Sequence, residues 1–71
     1  MVIGIITNIV LDKNRFLVFV DFSNGIQETN VFMPEVTAQD IRDWVLERQV
    51  YYDDLETKEQ ALKDELLNLQ L

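Results

Sequence analysis

Apolar and polar positions follow two different rhythms along this chain. Up to about Pro34 they alternate, and beyond Thr37 they recur at three- and four-residue steps, so the pattern predicts short strands followed by a helix. Val2 to Leu11 is rich in β-branched residues and reads as the first strand, with Ile3, Ile5, Thr7, Ile9 and Leu11 on its more apolar side. Val2, Gly4, Ile6, Asn8 and Val10 fall on the other side. Asp12-Lys13-Asn14 makes a polar turn into Arg15 to Phe22, and Ser23-Asn24-Gly25 turns the chain again into a third, more polar strand from Ile26 to Met33. Asn24-Gly25 is the strongest of these local signals, because both residues tolerate the positive φ that tight hairpins require. The second strand has Phe16, Val18, Val20 and Phe22 on one face and Leu17 and Phe19 on the other. A single helix covers one face of such a sheet, so the Leu17 and Phe19 side is expected to find cover from another element or another subunit.

Pro34 cannot join the interior of a ladder and closes the third strand. Thr37 is a good N-cap, and Asp40 three residues on spells a capping box with Asp in place of Glu. From there Ile41, Trp44, Val45, Tyr52, Leu55, Leu62, Leu66 and Leu69 form one stripe, interrupted at Arg48 and Glu59. Residues 37–71 hold no Gly and no Pro. A helix over residues 38–70 runs to about 50 Å, whereas a nine-residue strand reaches about 30 Å, so one end should overhang the sheet. Two readings of the helical part stand. Asp54/Lys58 and Glu59/Lys63 are favourable i,i+4 pairs that argue for one continuous helix. Thr57-Lys58-Glu59-Gln60 spells a second capping box, which would break the helix near residues 53–57 and fold it into a hairpin. The fold class expected is α+β: a three-stranded antiparallel meander over residues 1–34 and one long C-terminal helix over 37–70, in a single small domain spanning 1–71.

The 71 residues include 48% hydrophobic ones, enough for a folded core but a thin one. Chains of this size add disulfides, a metal or a second subunit. This one has no Cys and no His, which removes disulfides, thiolate and imidazole ligands and the commonest general base, and leaves oligomerisation as the support. Thirteen acids against six bases give a net charge of -7. The second half carries most of it, with nine acids against four bases over residues 37–71. Nucleic acid and anionic membrane surfaces are therefore poor partners. Met1 to Val10 is too short to span a bilayer and lacks the features of a signal peptide, so an intracellular soluble protein is expected.

No residue cluster announces a chemistry. Asp53, Asp54 and Glu56 lack calcium-loop spacing and read as a solvated acidic face, Gly4 and Gly25 stand alone, and Ser23 has no His to activate it. No catalytic residue, metal, cofactor or small-molecule substrate is expected. Trp44 reads as the anchor of the helix on the sheet, close enough to Arg48 for a cation-π contact. Tyr51 and Tyr52 point in different directions, so only one can share the core. The candidate protein-contact residues are Leu17, Phe19, Tyr51, Tyr52, Leu55, Leu62, Leu66 and Leu69.

The second strand Phe16-Leu-Val-Phe-Val-Asp-Phe, the turn Ser23-Asn-Gly, and Thr37 opening a helix with Ile41 and Trp44 give a layout that resembles the small proteins scattered through tailed-phage and prophage genomes. The resemblance covers nearly the whole chain and carries no functional residues with it. It implies a minor virion or assembly component, located in the particle or in the bacterial host cytoplasm, that works as a homo-oligomer or on a protein partner. A small acidic inhibitor that imitates nucleic acid and occupies a basic groove is the alternative suggested by the charge of the helical half.

Overall fold

The computed structural model describes residues 1–67. Strands β1 (Gly4–Asp12), β2 (Arg15–Phe22) and β3 (Gln27–Phe32) form an antiparallel meander in the order β1-β2-β3, followed by helix α1 (Ala38–Leu66). The α+β layout is the expected one, and the helix is continuous, which removes the hairpin alternative over the described residues. Thr57 shows why. Its hydroxyl donates to the Asp53 carbonyl at 3.0 Å, the i−4 bond of a residue inside a helix rather than a new N-cap. The real cap is at Thr37, whose hydroxyl accepts from the Asp40 N–H while the Asp40 carboxylate accepts from the Thr37 N–H.

The second turn is built as its residues dictate. Gly25 adopts φ 90° in a three-residue loop closed by Gly25 N–H to the Phe22 carbonyl at 2.9 Å. In the two-residue loop between β1 and β2 the left-handed position falls instead on Lys13, with φ 59°.

The two faces of β1 do not follow simple alternation. Ile6 pairs with Val20, but Asn8 pairs with Phe19, so Thr7 is an inserted residue that shifts the alternation. Paired residues share a face, so the helix side of β1 is Gly4 and Ile6 before the bulge and Ile9 and Leu11 after it. Ile5, Asn8 and Val10 lie on the far side. The expected single face of Ile3, Ile5, Thr7, Ile9 and Leu11 is thus divided between the two sides of the sheet.

The core sits between the sheet and the first half of α1. Val2, Val18, Val20, Phe22, Ile41, Val45 and Tyr52 are buried, with Phe32, Val36 and Trp44 packed at its margin. Trp44 meets Phe32 edge-on at 5.7 Å between ring centres, which places it as the expected anchor of helix on sheet. The helix comes closest over Gly4, where a Cβ would lie 2.7 Å from Phe22 Cε1 and 2.9 Å from Val45 Cγ1. Contact ends at Asp53, whose carboxylate accepts from the Val2 N–H at 2.6 Å. Beyond it residues 54–67 are all exposed. The molecule measures 57 × 18 × 16 Å with a radius of gyration of 16.5 Å, against about 11 Å for a compact chain of this length.

Candidate interaction surfaces

The first surface is the overhanging part of α1. Apolar side chains at 55, 62 and 66 continue the line that buries Ile41, Val45 and Tyr52 further up the helix, so they face the same way with no sheet left to cover them. Leu55 and Leu62 are each 46% exposed and Leu66 is 56% exposed. Leu62, Leu66 and Leu67, with Glu59 and Lys63, line a shallow apolar hollow. Glu59 is held by Lys63 one turn on at 3.0 Å, one of the two expected helical ion pairs, whereas Asp54 and Lys58 form no ion pair among the described residues. Leu69 lies outside the described residues.

The other interruption of the stripe, Arg48, is answered from the sheet. Its Nε donates to Glu28 on β3 at 2.9 Å, and an Nη donates to the Tyr52 hydroxyl at 3.3 Å. The Glu28 carboxylate first, then the Tyr52 hydroxyl, holds the guanidinium pKa above its ordinary value, so Arg48 stays charged at the edge of the core. Its aromatic neighbours are the rings of Tyr51 at 4.5 Å and Tyr52 at 5.2 Å, which replaces the expected contact with Trp44. Tyr52 is a core residue packed edge-on against Phe22 and offers no surface contact, while Tyr51 is 45% exposed under Arg48.

The second surface is the sheet face turned away from the helix. Val10, Leu17 and Val31 stand side by side across the three strands, with Phe19 next along β2. Val10 and Val31 are exposed, and Leu17 and Phe19 are half-buried. The patch then gives way to Asn8 and Thr29 beside Phe19, and to Asp21 and Gln27 beyond. Sequence alternation found Leu17 and Phe19 but missed Val10, because it grouped Val10 with Gly4 and Ile6, from which the bulge at Thr7 separates it.

The sheet edges are less open than either surface. Outward-pointing amides of Gly4 and Ile9 on β1 are taken by the side chains of Gln49 and Asn8, and that of Val31 on β3 by Asn30, each at 2.9 Å. Such side-chain capping withdraws donors that a foreign strand would need.

Asp53 is occupied with Val2, Asp54 and Glu56 are exposed, and among the described residues no group of three or more acidic side chains is placed to hold a metal ion. Among the same residues no helix is long and apolar enough to cross a membrane. No protein-family model, curated protein or solved structure matches the chain.

Proposed function

We propose that this chain is a non-catalytic interaction protein, of the phage assembly or virion-component kind that its layout resembles, acting by self-association or by docking into a larger complex. The observation that carries the reading is the overhang. Residues 54–67 project past the sheet with an exposed apolar stripe, and an isolated helix of that length is marginal in water. The uncovered row of Val10, Leu17 and Val31 supplies a second surface of the same character. The acidic-inhibitor reading draws less support. Asp40, Asp53 and Glu59 are engaged within the chain, and the exposed bases Arg42, Lys58 and Lys63 break up the charge of the helix.

Replacing Leu62 and Leu66 together by Glu tests the reading. The expected result is a lower mass in solution by light scattering with the sheet and proximal helix still folded by circular dichroism. An unchanged oligomer would remove the helix as the interface and leave the Leu17 and Phe19 face to be tested by Phe19→Glu. A native chain that is monomeric at every concentration and docks on no assembly would overturn the proposal.

A further inference from the structure

Resting on the association reading above, we infer that the occupant of the overhang is a second copy of this chain, paired antiparallel along residues 54–67. Positions 55, 59, 62 and 66 alternate steps of four and three, the spacing of a coiled-coil seam. The residues flanking the seam are Glu56 and Lys63 on one side and Lys58 and Glu65 on the other, all exposed. Their charges select an orientation. When Leu55 is set opposite the partner's Leu66, with the helices antiparallel, Glu56 falls beside the partner's Lys63 and Lys58 beside the partner's Glu65. Both are opposite-charge pairings, and two-fold symmetry makes each of them twice.

The same register places Leu62 against the partner's Glu59. That carboxylate keeps Lys63 of its own chain at 3.0 Å, so it is not left unpaired at the seam. A parallel, in-register pair fails on the same residues. It sets Glu59 against the partner's Glu59 within the seam and Lys58 against the partner's Lys63 at its flank, so like charges meet in both places. Length agrees as well. In the antiparallel register Leu66, the last residue of α1, faces the partner's Leu55, two residues beyond Asp53, where the partner's helix leaves its own sheet. The two overhangs fill one another, with the sheets at opposite ends of the assembly.

Cysteine cross-linking tests the register in a chain that has no Cys of its own. Leu55→Cys and Leu66→Cys chains are made separately and treated with a short bis-maleimide, each alone and as a mixture. In the antiparallel pair two copies of position 55 lie about 16 Å apart along the axis, beyond the reagent's reach, so only the mixture should cross-link. Cross-linking of either variant alone would show a parallel pair, overturning the inference while leaving self-association intact. An oligomer that cross-links in no combination would place the interface elsewhere, with the same consequence. A monomer throughout would overturn the inference together with self-association.

Charge reversal gives an independent measure, read beside circular dichroism. Lys58→Glu should weaken the dimer by about tenfold, and adding Glu65→Lys in the same chain should restore it. A parallel pair would instead be tightened by Lys58→Glu, and that result would overturn the inference.

Discussion

Arg48 and Gly4 set how the helix lies on the sheet, one by attraction and the other by leaving room. Arg48 reaches Glu28 on β3 while Gly4 lets Val45 and the Phe22 ring approach the β1 backbone. Gly4→Ala would force Val45 and the buried Phe22 apart, at a cost of about 1–3 kcal/mol. A lowered urea midpoint with an unchanged slope is the expected result, and an unshifted midpoint would show that the contact yields freely. Lys13 works in the opposite sense. It holds a left-handed φ that disfavours any side chain, so Lys13→Gly should stabilise the fold by about 1 kcal/mol. A loss of stability in that variant would mean the Lys13 backbone strain is not the governing effect. Sequence alone could not assign Arg48 its role. Periodicity records it as a gap in an apolar stripe, whereas the reason for the gap lies on a strand 20 residues earlier.

At the level of elements, α1 has two halves with different sources of stability. The first, through Asp53, packs against the sheet; the second, beyond it, is exposed and carries i,i+4 contacts such as Lys63 with Glu59 and Gln60 with Asp64. Amide exchange should separate them. Protection at residues 41–52 should persist at low protein concentration, while protection at 55–64 should appear only as concentration rises and disappear in the Leu62→Glu, Leu66→Glu chain. Uniform protection along the helix at every concentration would contradict this division. The helix was legible in the sequence because its cap is local and no Gly or Pro interrupts it, and the same holds for the Asn24-Gly25 hairpin. The first strand was only half legible. Its residues are apolar on both sides, so alternation gave no sign that Thr7 is an insertion, and the bulge was settled by pairing with β2 rather than by local preference. Of the candidate contact residues, Tyr52, Leu55, Leu62 and Leu66 were visible as one stripe, but that the sheet buries Tyr52 against Phe22 and leaves the three leucines uncovered depends on where the sheet ends.

The whole molecule is a small sheet-and-helix head with a bare helical stem, 57 Å long and 18 Å or less across. A head of this size has a thin core, and the stem cannot add to it from within the chain; a partner that covers the stem would raise the apparent stability of the whole by mass action. Pairing with a second copy, as proposed, would complete the stem. Its most direct test is the absolute mass of the native chain in solution, by light scattering over a wide range of concentration, beside the Leu62→Glu, Leu66→Glu chain. The native chain is expected to pass from monomer to dimer as concentration rises, and the variant to remain monomeric and folded. A native chain that stays monomeric throughout, or a variant that dimerises equally well, would contradict it.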